Sequence, residues 1–109
     1  MDIYKKLEKL TEFDWDAGNI EKNLIKHKIT NSESEEVFFN PNLVLPDDHH
    51  STSEARYFLL GETETGRVIF IVFTIRGDKI RVISSRVASH KERKIYNNFK
   101  HDEKRNSKI

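Results

Sequence analysis

The sequence contains no cysteine, which excludes disulfide bonds, thiolate metal sites and a cysteine nucleophile. It has only four glycines and two prolines, and it shows no glycine-rich phosphate loop and no serine-hydrolase motif. The longest apolar stretch, Val68–Ile75, is much shorter than the ~20 residues of a membrane-spanning helix. The N-terminus lacks the apolar core of a signal peptide. These absences predict a soluble cytoplasmic protein that does not associate with a membrane.

Metal-binding patterns are also scarce. Asp47, Asp48, His49 and His50 are consecutive, but neighbouring residues of one loop rarely all point at the same ion. No second cluster with ligand spacing occurs elsewhere in the chain. We therefore expect neither a metal site nor a cofactor.

The charges are unevenly distributed along the 109 residues, a length typical of a single domain. The net charge is only +1, yet residues 76–109 hold 11 Lys and Arg against 4 Asp and Glu. Residues 1–75 carry the compensating acidic excess. A basic end on a neutral chain indicates a polyanionic partner such as nucleic acid. The alternative is a solvated, lysine-rich helix and tail.

The strongest structural signal is a run of three β-rich segments. Residues 67–76 form a near-continuous apolar run that suits a central strand, and Gly77-Asp78 is a two-residue hairpin turn. That turn pairs Arg76 with Lys79 and Thr74 with Arg81. Helices are predicted over 2–11, 16–28 and 31–39 and again after Ser89, with short strands near 13–15 and 42–45. The order predicts an α+β fold, with helices packed on an antiparallel meander.

Arginines on the predicted strands are the main candidates for function. They are Arg56, Arg76, Arg81 and Arg86. A strand arginine needs a carboxylate, solvent or an anion, and several of them could converge on phosphate groups. Period-two alternation places Arg81 and Arg86 on opposite faces unless a bulge intervenes. The alternative is pairing with Glu54, Asp78 or Glu92.

Proton transfer has two candidates near the second strand, His50 and Glu54. His50 is favoured because the ordinary pKa of histidine, about 6.5, lies near neutrality. Lys26 can be an ordinary surface residue, and Tyr96 can pack in the core.

An ordered series of residues resembles the BrnT toxins, the ribonuclease half of a bacterial toxin–antitoxin pair. The series runs over about residues 12–97: Phe13-Asp14-Trp15-Asp16, Asn23, Lys26-His27, Val37-Phe38, Pro41, Asp48, His50, Glu54, Arg56, Gly61, Gly66-Arg67, Thr74, Arg76-Gly77-Asp78, Ile80 to Arg86, Ala88, Glu92-Arg93 and Tyr96. The departures from the family pattern are Asn19 for a basic residue, Ser34 and Ser85 for alanines, and Asn40 for an aspartate.

The resemblance implies a RelE-like fold and a metal-independent endoribonuclease that inhibits translation. Its partner would be a BrnA-like ribbon-helix-helix antitoxin, and operator DNA would be bound only through that complex. The catalytic candidates are then Arg56, Arg81, Arg86, His50 and Glu54, with Lys26, Arg76 and Tyr96 as RNA contacts. The expected organisation is a helical extension (1–11), a toxin domain (12–99) and a flexible basic tail (100–109). A non-catalytic nucleic-acid-binding module or a protein-interaction domain stays open as the alternative.

Overall fold

The computed structural model describes residues 3–10, 12–15, 28–49 and 53–106. Eight elements follow one another in these ranges: α1 (Ile3–Glu8), β1 (Glu12–Asp14), α2 (Asn31–Phe39), β2 (Asn42–Pro46), β3 (Arg56–Glu62), β4 (Val68–Arg76), β5 (Lys79–Val87) and α3 (His90–Asn106). The fold is α+β, as the sequence predicts. The helix predicted over 16–28 lies almost wholly outside the described residues.

The five strands form one sheet in the order β1-β5-β4-β3-β2. β4 is the central strand, as its apolar run predicts, and β2 to β5 pair in antiparallel fashion. β1 differs from the expectation of a purely antiparallel sheet, because it pairs with β5 in parallel and makes the sheet mixed. A parallel neighbour needs a long crossover connection, and the chain between β1 and β5 supplies it.

The hairpin between β4 and β5 has the predicted register. Arg76 faces Lys79 and Thr74 faces Arg81 across the two strands. Gly77 takes a φ of 61°, the left-handed backbone that a primed two-residue turn requires at its first position. A glycine reaches this conformation without the steric cost of a side chain.

The sheet is covered on both faces. One face carries the larger core, in which Leu59, Ile71 and Phe73 are fully buried and α1 and α2 supply side chains. The other face carries a smaller core, in which Leu60 of β3 packs with Tyr96 of α3. This second core occupies only one end of its face, so α3 leaves the other end uncovered.

Both predicted capping boxes are present. The Thr30 hydroxyl accepts a hydrogen bond from the Glu33 backbone N–H, and the Glu33 carboxylate accepts one from Thr30. Ser89 and Glu92 make the same reciprocal pair at the start of α3. Such pairs satisfy N–H groups that the first turn of a helix leaves without partners.

α2 lies very close to the sheet. A Cβ on Gly61 would lie 2.9 Å from the Cβ of Val37, so only glycine permits this approach. Ser34 of α2 and Ser85 of β5, both fully buried, share a hydrogen bond of 2.8 Å between their hydroxyls. The two serines that depart from the family alanines are therefore partners of each other.

α1 and α3 lie in or next to the segments that are expected to form the helical extension (1–11) and the tail (100–109). α1 packs against the larger core through Ile3 and Leu7, and the Tyr4 hydroxyl accepts a hydrogen bond of 2.8 Å from the Val44 N–H on the sheet edge. α3 continues to Asn106 instead of ending near residue 99. No proline or glycine interrupts 90–106, and the Lys100 ammonium lies 2.8 Å from the Glu62 carboxylate. Within the described ranges, no helix is both long and apolar enough to cross a membrane.

Candidate functional site

A β-bulge in β5 brings the strand arginines to one face of the sheet. Val72 pairs with Ser84, whereas the next residue of β4, Phe73, pairs with Val82, so Ile83 is an extra residue without an opposite partner. One extra residue reverses the alternation of side chains along the strand. Arg81 and Arg86, which simple alternation separates, therefore share a face.

The same face contains all four candidate arginines. The register places Arg56 opposite Thr74, Thr74 opposite Arg81, and Arg86 opposite Phe70. Arg76 lies two residues beyond Thr74 on β4 and so shares its face. We call Arg56, Arg76, Arg81 and Arg86 the arginine face.

The spacing within the arginine face follows from strand geometry. Arg56 and Arg81 lie on either side of Thr74, two strand spacings or about 10 Å apart at their backbones. The Arg86 row is four residues away along β4, or about 13 Å. Arg56 and Arg81 can thus approach one phosphate group together, whereas Arg86 is placed for a neighbouring one.

Arg81 is held by an acidic residue of the neighbouring strand. Its Nη1 lies 3.2 Å from Oδ2 of Asp14, which faces it in the parallel β1–β5 pairing. The Arg81 side chain is 22% exposed, so the guanidinium is partly desolvated but still reachable from solvent. No sequence pattern indicates this pair, because the partner strand is three residues long and distant in the chain.

Arg76 and Glu54 form a bidentate ion pair at the end of the arginine face that is next to the Gly77-Asp78 turn. The Arg76 Nε and Nη2 donate to the two Glu54 oxygens at 3.2 and 3.1 Å. This hydrogen bonding, together with the positive charges of Arg76, Arg56 and Arg81, holds the pKa of Glu54 below its usual range. Glu54 is therefore ionised at neutral pH and can orient a group or accept a proton, although the lowered pKa makes it a weaker base than an unpaired carboxylate.

Arg86 is fixed from two directions at the border of the second core. Its Nη1 and Nη2 donate to the two Glu92 oxygens at 2.7 and 2.8 Å, and its guanidinium lies 4.2 Å from the centre of the Phe70 ring. Glu92 also accepts from the Ser89 N–H as the acidic residue of the capping box. Hydrogen bonding from Arg86 is the main cause that lowers the pKa of Glu92. Glu92 was one of the carboxylates expected to pair with a strand arginine.

The remaining candidates divide into those the structure describes and those it does not. Tyr96 is 1% exposed, and its hydroxyl donates to the Pro41 carbonyl at 3.2 Å. Burial is the main cause that raises the pKa of Tyr96. Its ring therefore packs in the second core and has no free face for a base, so the core alternative applies. His50 and Lys26 lie outside the described residues.

The arginine face is partly exposed to solvent at the end that α3 does not cover. α3 packs over the Leu60 and Phe70 end of the face, while Arg56, Arg81 and Ser84 at the other end stay partly exposed. In the described ranges, no three His, Asp or Glu side chains come together as a metal-binding group. The arrangement offers guanidinium groups that neighbouring carboxylates hold in place, and guanidinium groups suit the binding of a phosphodiester.

Comparison with known proteins fits this arrangement. The family model of the ribonuclease toxin BrnT of type II toxin–antitoxin systems matches residues 15–92. The chain belongs to the BrnT family. Its fold resembles the crystal structure of the Brucella abortus ribonuclease toxin BrnT, with a TM-score of 0.58, 24% identity, and coverage of 73% of this chain and 99% of that chain. No curated protein matches the chain.

Membership of the BrnT family makes the protein a ribonuclease toxin with RNA as substrate and an antitoxin as partner. The matched range includes β3, β4 and β5 and hence the whole arginine face. α1 and most of α3 lie outside that range. Features of these two helices are therefore properties of this chain that the family match does not cover.

Proposed function

We propose that this protein is a metal-independent endoribonuclease that cleaves RNA on the arginine face. One observation supports this most strongly: the bulge at Ile83 brings Arg86 to the sheet face that also carries Arg56, Arg76 and Arg81. Guanidinium groups bind phosphate oxygens through two parallel hydrogen bonds and stay charged at every physiological pH. They supply the positive charge that a metal ion supplies in other nucleases.

The reaction proceeds by internal attack. The RNA 2′-hydroxyl loses its proton to a base and its oxygen bonds to the adjacent phosphorus, while the bond to the 5′-oxygen breaks and that oxygen gains a proton. The products are a 2′,3′-cyclic phosphate and a 5′-hydroxyl. Arg56 and Arg81 stabilise the charge that builds up on the non-bridging oxygens. Arg86 holds a neighbouring phosphate and Arg76 orients Glu54.

Proton transfer is assigned to Glu54 and His50. Glu54 is ionised and therefore acts as the base or as an orienting group. His50 precedes Glu54 by four residues and acts as the acid that protonates the leaving 5′-oxygen. Lys26 contacts the sugar–phosphate backbone of the RNA.

Family membership supports a proposal for the cellular role. Cleavage of RNA in the cytoplasm inhibits translation, and a BrnA-like ribbon-helix-helix antitoxin neutralises the toxin and carries the complex to operator DNA. Expression of the toxin alone should slow growth, and co-expression of the adjacent gene should restore it. If the adjacent gene product neither co-purifies with the toxin nor restores growth, this partner assignment is wrong.

A simple incubation separates the enzyme from a non-catalytic RNA-binding module, which would use the same arginines. Purified protein is mixed with end-labelled RNA in excess EDTA, with Arg81→Ala as the control for contaminating nucleases. We expect cleavage by the wild type that ends in 2′,3′-cyclic phosphate and is lost in the variant. Retarded but intact RNA would favour the binding module, and cleavage only after addition of Mg²⁺ would refute metal independence.

A further inference from the structure

The outer side of α3 carries a surface made only of hydrogen-bond donors and neutral amides. Five exposed residues line a shallow groove of about 320 Å³ along the helix: His90, Arg93, Lys94, Asn97 and Asn98. We call them the donor stripe. It extends about 12 Å along the helix axis.

The cations of the donor stripe are not used to stabilise the protein. Glu92, the acidic residue next to Arg93 in the sequence, is bonded through both carboxylate oxygens to Arg86. Within the described part of the chain, neither Arg93 nor Lys94 forms a side-chain ion pair. Cations in the first turns of a helix also oppose its dipole, so their presence there does not serve the stability of the helix.

The donor stripe joins the arginine face at one corner. Glu92 lies between Arg93 and Lys91 in α3 and holds Arg86, the outermost arginine of the face. A strand of RNA that leaves the Arg86 position toward the start of α3 therefore meets further cations without crossing an acidic surface. Nothing in the family match describes most of this helix, since the match ends at residue 92.

We propose that the donor stripe binds the sugar–phosphate backbone of the RNA several nucleotides away from the cleaved bond. This inference rests on the proposed function, because it extends the path of the same substrate. The contacts are to phosphates and carry no base preference. The donor stripe thus selects long single-stranded RNA over very short fragments.

The test uses Arg93→Gln/Lys94→Gln in the full-length protein. Its matched control is Lys5→Gln/Lys6→Gln in α1, which loses the same two charges on exposed positions of a helix that packs on the opposite sheet face. Cleavage is measured on a 20-nucleotide RNA and on a trinucleotide. We expect the α3 variant to raise KM for the long RNA by about two- to fivefold per lost cation, with kcat and trinucleotide cleavage unchanged. The control should behave as wild type.

Binding is measured separately in the Arg81→Ala background, which keeps the RNA intact. Fluorescence anisotropy against salt should show a slope reduced by about 1 to 1.4 in the α3 variant, as expected for two lost phosphate contacts on a single strand. Equal slopes in the α3 variant and the control overturn the inference. So does an α3 variant that binds RNA normally but loses its antitoxin, since the surface then belongs to that partner. If the wild type cleaves no RNA, the proposed function fails and the slopes alone decide this inference.

Discussion

Arg81→Ala tests the arginine face most directly, because Arg81 is less exposed than Arg76 and Arg86 and lies across Thr74 from Arg56. The substitution removes a guanidinium placed for the non-bridging oxygens of the transition state. Loss of one such preorganised donor costs about 2.7–4 kcal/mol, or about 10²- to 10³-fold in rate. Arg81→Lys keeps the charge but loses one of two parallel hydrogen bonds, for which about 1.5–3 kcal/mol or ten- to hundredfold is expected.

The effect on folding should be much smaller than the effect on rate. The ion pair with Asp14 is partly exposed, with side-chain exposures of 22% and 41%. Pairs of this kind contribute about 0–1 kcal/mol, so the variant stays folded under assay conditions. Thermal denaturation of each variant checks this point before any rate is compared.

Arg76→Ala is the matched control for charge. It removes the same group from the same face, but Arg76 is 51% exposed, flanks the turn and is engaged by both oxygens of Glu54. Single-turnover cleavage rates at saturating protein should therefore fall less than tenfold for Arg76→Ala and at least a hundredfold for Arg81→Ala. Folded Arg81→Ala and Arg86→Ala proteins that both cut within a few-fold of wild type would refute the reasoning.

Four further substitutions test how the site and the core are held. Glu92→Gln should lower the free energy of unfolding by about 1 kcal/mol, or the Tm by about 4–8 °C, at pH 7. Because the pKa of Glu92 is lowered in the folded protein, the wild type should keep this full advantage above about pH 4.3. The advantage should disappear as the pH falls through the lowered pKa of Glu92. Ser34→Ala and Ser85→Ala should each cost about 1–2 kcal/mol in urea unfolding, and the double variant clearly less than the sum. Gly61→Ala should cost about 1–3 kcal/mol through its contact with Val37, and an unchanged midpoint would contradict that packing.

The local parts of the fold could be predicted from the sequence because each has a local cause. The apolar run of β4 and the Gly77-Asp78 turn fix the register of the hairpin, and the pairing of Thr74 with Arg81 follows. The two capping boxes likewise depend on residues three positions apart. These predictions are confirmed because the forces involved act over a few residues.

The composition of the arginine face could not be predicted in the same way. Whether Arg81 and Arg86 share a face depends on the bulge at Ile83, and no residue type near Ile83 predicts a bulge. The partner of Arg81 is Asp14, 67 positions away, across a parallel pairing that the short β1 strand does not reveal. The sequence identified which arginines matter as candidates, but only the three-dimensional register brings them together.

The charges of the arginine face imply a division of labour with the donor stripe. Arg76, Arg81 and Arg86 lie beside carboxylates, namely those of Glu54, Asp14 and Glu92. Such pairing preorganises the guanidinium groups and leaves further N–H donors for phosphate, but it also cancels most of their long-range field. Attraction of RNA from a distance then requires cations whose charge is not cancelled in this way, and among the described residues Arg93 and Lys94 of α3 form no ion pair. Added salt should therefore raise KM, because it screens the cations of α3. It should leave kcat nearly unchanged, because kcat depends on the arginine face.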